Sequence, residues 1–243
     1  MVLVKRLTDE EIARHQELIR QYFSEVRGQE YVEIQFHGNG SEKGVYKVKS
    51  DDGTFLAAAG ARDKNRRLLA EYNALHSLYG GAPEFFPRPI AHYSPEQVQD
   101  TGDLFLMEFL PHLDLMHFDR RSYTPEGMYF RDLASAIGKG VSIVHAKTGM
   151  YPSEPHDGNI LVRLDDNGEL DLRFCDAIQF REGSIQDAVD VILSNNRDER
   201  PESFRFIRRF RQGLAQGTSQ VTGVPLEKAY DSFEFLRRYN DIF

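Results

Sequence analysis

Near the N-terminus Ile12, Leu18, Ile19 and Tyr22 recur at helical spacing behind Thr8 and Glu11, whose hydroxyl and carboxylate form a capping box. The spacing predicts an amphipathic helix over about residues 9–26. From Tyr31 the period drops to two: Val32, Ile34 and Phe36 alternate with polar residues, an HGNGSEKG loop follows, and alternation resumes from Val45 to Lys49 before an SDDG turn at 50–53. Phe55–Ala61 reads as a third strand, and Leu68, Leu69, Tyr72, Leu75 and Leu78, stopped by a double glycine, predict a helix over roughly 63–79. PEFFPRPIAHY is expected to be extended because of its prolines, and LFLMEFL reads as an apolar strand beyond a polar turn at 94–103.

After Pro111 helices take over. Leu133, Ile137, Val141 and Val144 make one stripe over 130–146, NILVRL and LDLRFCD flank a DDNG hairpin turn, and the last 60 or so residues read as helices separated by polar loops. No internal repeat or low-complexity tract interrupts the chain, so the one boundary falls near residues 110–112. The division is 1–110, with a helical extension over 1–30 ahead of a sheet lobe, and 111–243, mainly helical.

Composition narrows the function classes. At 243 residues, 40% hydrophobic and 28% charged, the chain has the makings of a globular core. No apolar run approaches the roughly 18–20 residues that span a bilayer, and one cysteine, Cys175, excludes an internal disulfide framework, so a cytoplasmic protein is expected. A bacterial effector exported by a weak, uncleaved signal would carry the same sequence. A net charge of -8 argues against nucleic acid as the main partner. The arginines of SFRFIRRFRQ alternate with Phe204, Ile207 and Phe210 and read as the wet face of an amphipathic helix.

Three segments carry candidate chemistry. GNGSEKGVYKV at 38–48 is a glycine turn between strands, where missing side chains let backbone amides approach a phosphate; a ligand-free glycine hairpin explains it about as well. EPHDGNILV at 154–162 packs Glu154, His156, Asp157 and Asn159 ahead of an apolar strand, donors suited to magnesium and to a base, although exposed turns use the same residues. Asp176, after the second hairpin strand, would sit beside Asn159 in a two-sided metal clamp. His145 reads as a packed residue bonded to a carbonyl, the Phe85, Phe86 and Tyr129, Phe130 pairs read as core, and no CxxC or HExxH spacing suggests zinc.

In order and spacing, over roughly residues 31–180, these segments resemble the protein-kinase-like superfamily, nearest its compact branch of RIO-type and aminoglycoside-phosphotransferase-like kinases. GSEKGVYKV resembles the short nucleotide loop of the RIO type, EPHDGNILV the catalytic loop HGDxHxGNILV, and CDAIQF the metal-binding aspartate segment. The resemblance implies an α+β, two-lobed kinase-like fold: a small β-rich lobe with one helix, then a mainly helical lobe. It implies ATP and Mg2+ as cofactors and γ-phosphate transfer to a hydroxyl of a protein serine or threonine or of a small molecule, with neither nucleic acid nor a membrane span involved. Carried over residue by residue, Gly38, Gly40 and Ser41 would cover the phosphates, Glu71 would pair with a strand lysine, and Met107, Glu108, Phe109 and Leu110 would form the adenine-reading linker. Asn159 and Asp176 would hold magnesium, and Glu154 would be the base or hydroxyl-orienting group.

Two positions depart from the family pattern. Apolar alternation puts Ala59, or next Gly60, where the phosphate-gripping lysine is expected, with Lys47, Lys49, Arg62 and Lys64 nearby as substitutes. Glu154 stands where aspartate is usual, behind Pro152 and Ser153 in place of histidine and glycine; the longer side chain predicts slower chemistry. A divergent kinase, a pseudokinase serving as a nucleotide-binding or interaction scaffold, and a kinase with its lysine replaced by alanine all fit. The short interval between Asp176 and the next helical pattern leaves little room for the activation segment of large protein kinases.

Overall fold

The computed structural model describes residues 7–39, 43–60, 67–95, 102–114, 128–153, 159–167, 170–195 and 201–236. The chain is α+β and divides into two compact units, Met1–Ser77 with Pro87–Leu110, and Leu78–Phe86 with Pro111–Phe243. Leu78–Phe86, which one boundary near 110 would leave in the first unit, belongs with the second: Phe86 is fully buried there, 6.0 Å from Phe174 and 5.2 Å from Phe180 between ring centres.

The first unit is an antiparallel five-stranded sheet with a helix, α1 (Asp9–Arg27), on one face. Its strands are β1 (Glu33–Asn39), β2 (Lys43–Ser50), β3 (Gly53–Gly60), β4 (Pro89–Tyr93) and β5 (Asp103–Glu108), in the order β1-β2-β3-β5-β4. The capping box forms as expected, Glu11 N–H donating to the Thr8 hydroxyl and Thr8 N–H to the Glu11 carboxylate. Leu18, Ile19, Tyr22 and Phe23 of α1 pack on Tyr46, Val48, Phe55, Ala57, Ala59, Leu104 and Leu106 of the sheet. Polar ties hold the helix in place: His15 Nδ1 lies 2.9 Å from the Tyr46 hydroxyl, Tyr93 donates to Glu25 at 2.8 Å, and Arg27 reaches Asp52 at 2.8 Å while lying over the Phe55 ring. The N-terminal helix is thus one wall of the sheet's core. A second helix, α2, covers Arg67–Gly81 where its apolar spacing predicts one; residues 61–66, which hold its expected start, lie outside the described residues.

The second unit holds β6 (Leu113–Asp114), α3 (Met128–Thr148), β7 (Met150–Pro152), β8 (Ile160–Leu164), β9 (Leu170–Phe174), β10 (Phe180–Glu182), α4 (Ile185–Asn195), α5 (Pro201–Thr222) and α6 (Leu226–Ser232). β6, β8 and β9 form one small sheet; β7 and β10 form another, which the sequence pattern does not announce. His145 bonds the Gly183 carbonyl at 2.9 Å, as expected for a packed residue. Tyr129 and Phe130 have side chains outside the described set. Among the described residues no helix is long and apolar enough to cross a membrane.

Glycine sets how closely α3 and α5 approach. A Cβ on Gly213 would fall 2.0 Å from the Ser135 carbonyl oxygen, and one on Gly138 would fall 2.3 Å from the Phe210 carbonyl oxygen. The Ser142 and Thr218 hydroxyls bond across the same seam at 2.7 Å. One arginine of this region is not on a wet face: Arg211 is 7% exposed, stacks 4.0 Å over the Tyr230 ring and donates to the Tyr230 carbonyl, whereas Arg208 is exposed as expected. Gly213→Ala is expected to cost about 3 kcal/mol in urea denaturation, because backbone rather than a movable side chain blocks the methyl. Gly80→Ala, with open space at that Cβ, should instead stabilise by up to about 1 kcal/mol.

Candidate functional site

In the first unit the chemistry begins with a misplaced carboxylate. Leu68, Glu71, Leu75 and Leu78 form the inward stripe of α2, so Glu71, 8% exposed, occupies a position where the helix buries apolar side chains. A carboxylate there is stable only with a charged or hydrogen-bonded partner. Lys43 of β2 is that partner, its ammonium contacting both Glu71 oxygens. Neither of the two described substitutes proposed from sequence, Lys47 and Lys49, fills the role. Lys47 lies 4.5 Å over the Phe109 ring, Lys49 is exposed, and Arg62 and Lys64 lie outside the described residues.

Strand parity explains why Lys43 reaches Glu71 and why residue 59 is poorly placed. Along β2, Gly44, Tyr46 and Val48 face the α1 core, so Lys43, Val45 and Lys47 face the other way. The register pairs Gly44 with Ala59 and Lys43 with Gly60. Ala59 therefore points into the α1 core, where it is fully buried, on the face opposite the ion pair. A lysine at 59 would enter the core cluster that holds Leu18, Ile19 and Phe23, on the face away from Glu71.

Of the glycine loop, Gly38 is described and Gly40 and Ser41 are not. Gly38 follows a register shift in β1, opposite Val45, and a Cβ there would meet nothing within 4 Å, so local packing does not demand glycine. In the linker, Glu108 N–H donates to the Arg88 carbonyl at 2.9 Å and its carboxylate accepts from Arg88 N–H at 3.2 Å. The Glu108 amide is thereby committed within the sheet. Phe109 is gripped by Lys47 and by the edge of His37, and half-buried Leu110 ends the first unit.

In the second unit the β8–β9 hairpin places two of the expected metal ligands at one end. Ile160 pairs with Phe174, and just outside that pair Cys175 N–H donates to the Asn159 carbonyl at 3.0 Å, so Asn159 and Asp176 flank the same mouth. Asp176 adopts φ 60°, ψ 58°, the one non-glycine residue with positive φ among the described residues. Its neighbours are anchored on both sides: Phe174 and Phe180, 5.7 Å apart, are buried against Phe86. Strain at an anchored acid of this kind is a recurrent feature of functional sites.

Pro152 and Ser153, which depart from the loop that the sequence resembles, have a structural role. Pro152 pairs with Phe180 in the β7–β10 ladder, and Ser153 donates both N–H and hydroxyl to the Gln179 carbonyl, at 2.8 and 2.6 Å. They fasten the entry of the Glu154 segment to the turn after Asp176. Glu154 itself lies outside the described residues. Among the described residues no group of three or more His, Cys, Asp and Glu could hold a metal ion by itself. One carboxylate and one amide oxygen fit magnesium arriving with nucleotide phosphates, because that ion commonly takes one or two protein ligands and completes its shell with phosphate and water.

An ionic cluster lies along the outer face of the same hairpin. Asp171 accepts from Arg163 and Arg173, each at 3.0 Å, and His112 Nε2 lies 3.2 Å away, its side chain 1% exposed. Burial raises the Asp171 carboxyl, but Arg173, His112 and Arg163 outweigh it and hold the group below its usual value. Burial pushes His112 down; Asp171 pulls it up, and Arg163 and Arg173 push it down further. No protein-family model matches the chain, and no curated protein matches it.

His112 binds a proton more weakly folded than unfolded. Its contribution to stability is therefore complete above a pH of about 6.5 and is lost as pH falls through the folded value. The thermal midpoint is expected to drop between pH 7.5 and 5.5, and to drop less in His112→Asn. Ala59→Lys is expected to lower stability by about 3 kcal/mol or more in urea denaturation, since it puts an ammonium into the α1 core.

Proposed function

We propose that this chain is an ATP-dependent phosphotransferase moving the γ-phosphate to a hydroxyl, with Lys43 as the phosphate-holding cation. The observation that carries the reading is the Lys43–Glu71 pair. It supplies the lysine that Ala59 lacks, and it supplies it already oriented: a carboxylate touching the ammonium fixes a long, flexible side chain that would otherwise sample many rotamers. The mouth of the β8–β9 hairpin, with Asn159 and Asp176, supports the same reading independently.

In this scheme the acceptor hydroxyl oxygen attacks the γ-phosphorus, the bond to the β,γ-bridging oxygen breaks, and ADP leaves with that electron pair. The hydroxyl proton passes to the Glu154 carboxylate and on to solvent. Lys43 attracts the phosphate oxygens, and Glu71 keeps its ammonium in place. Asn159 and Asp176 would hold magnesium, whose charge offsets that of the phosphates when bound. Fastening of Ser153 to Gln179 limits where the Glu154 segment begins. Acceptors of the proposed reaction are protein hydroxyls or small-molecule alcohols.

Transfer from labelled ATP with magnesium, scored over protein and small-molecule acceptors, is the test. Lys43→Ala and Asp176→Ala are each expected to reduce turnover by about a hundredfold or more, with the melting transition still cooperative. Turnover that both variants leave unchanged would overturn the assignment. ATP binding without transfer to any acceptor would instead support a nucleotide-binding scaffold.

A further inference from the structure

Resting on the phosphotransferase reading, we propose that α1 is a built-in positioning device for the phosphate-holding lysine: His15, acting through Tyr46, clamps β2 so that Lys43 stays on Glu71, and protonation of His15 releases the clamp. The chain of contacts is short. Tyr46 is fully buried on the α1 face, and its ring lies along its own strand over Gly44. A Cβ at Gly44 would fall 2.6 Å from the hydroxyl oxygen and 2.7 Å from Cε2, so glycine is needed there to admit the ring. Gly44 adjoins Lys43 and is held on both sides, paired with Asn39 in β1 and Ala59 in β3. The backbone that carries Lys43 is therefore pinned from one face by Tyr46 and from the other by Glu71.

His15 fixes the far end of the Tyr46 ring. Its Nδ1 is 2.9 Å from the hydroxyl, the rings meet edge-on at 5.9 Å, and His15 is 8% exposed. Burial pushes the Tyr46 phenol up to about 12, so the phenol keeps its proton and needs an acceptor. A neutral imidazole accepts at Nδ1; an imidazolium donates there instead, which turns the hydroxyl proton away from its acceptor, and it would also be a cation sealed between helix and sheet. The groups bearing on His15 are Glu11 and Arg14 on α1 and Tyr46 on β2. Burial lowers its pKa, Glu11 raises it and Arg14 lowers it, with burial dominant, so the clamp is closed at neutral pH and opens on acidification. Opening frees the Tyr46 ring from Gly44 and loosens the strand carrying Lys43. The N-terminal helix that walls the sheet's core thereby becomes a control on the phosphate site.

The experiment reads Lys43 directly. The full-length protein is acylated briefly with a small amine-reactive ester, and the ratio of Lys43 to Lys49 modification is measured by peptide mass spectrometry from pH 8 to 5.5. Exposed Lys49 on the same strand is the internal standard. In the wild type the ratio is expected to be low and flat down to about 6.5 and to rise below it. Tyr46→Phe should raise it about fivefold at every pH, the equivalent of one lost hydrogen bond. His15→Gln, which keeps an acceptor but does not titrate, should hold it low and flat. A wild-type ratio unchanged by acid overturns the proposal, whether or not Tyr46→Phe folds; so does a wild-type pH profile in His15→Gln. Affinities for ATP and adenosine separate the two readings. Tyr46→Phe should weaken ATP about fivefold and leave adenosine unchanged. The expected acylation pattern with no ATP binding leaves the clamp standing and removes the phosphotransferase reading.

Discussion

A carboxylate in the buried stripe of a helix is the constraint from which the chemistry of the first unit follows. Glu71 sits where α2 would ordinarily present leucine, and such a group persists only if a charge meets it. A buried ion pair is weak evidence for stability, because removing two ions from water costs as much as their attraction returns. Its better-supported use is to hold a charged group in one orientation. That is what the proposed phosphate chemistry would require of a lysine, which carries a compact charge on a flexible stem.

Strand parity decides which lysine can serve. Successive residues of β2 alternate between the α1 core and the face bearing Glu71, and β3 follows the same alternation in register. Lys43 is on the Glu71 face and Ala59 is not. The second unit applies a comparable logic with aromatic rings. Phe174 and Phe180 bracket Asp176, both packed on Phe86, so the αL turn at the acid hangs between two fixed points. Pro152 and Ser153 tie the incoming strand to the turn after Asp176.

Much of this was legible in the sequence wherever the signal is local. The capping box at Thr8 and Glu11, the strand alternation around 32–60, the DDNG hairpin and the common end shared by Asn159 and Asp176 all follow from spacing between near neighbours or across one hairpin. Three features were not legible, each because it depends on a partner distant in sequence. The partner of Glu71 is 28 residues away, and parity of β2 relative to α1 was needed to identify it. The β7 and β10 strands are three residues each, too short for a period to show. Arg211 is buried because Tyr230 of the following helix covers it, whereas periodicity on α5 alone put it with the wet arginines.

The alanine run of β3 then has an explanation other than a lost lysine. On the α1 face Ala57 and Ala59 are small where Tyr22, Phe23 and Tyr46 bring large rings to the sheet. On the opposite face Gly60 and Ala58 stand beside Lys43 and Val45 in the register, and Tyr72 of α2 packs 5.7 Å from Phe105 of β5. β3 lies between β2 and β5, so Lys43 approaches α2 over β3, past a glycine and an alanine. A lysine donated from β2 and a long side chain on that face of β3 would compete for the same space. The weak strand propensity of alanine is offset by burial on both faces, Ala57, Ala58 and Ala59 all being inaccessible to solvent. Small residues in β3 and a lysine in β2 are two halves of one packing solution.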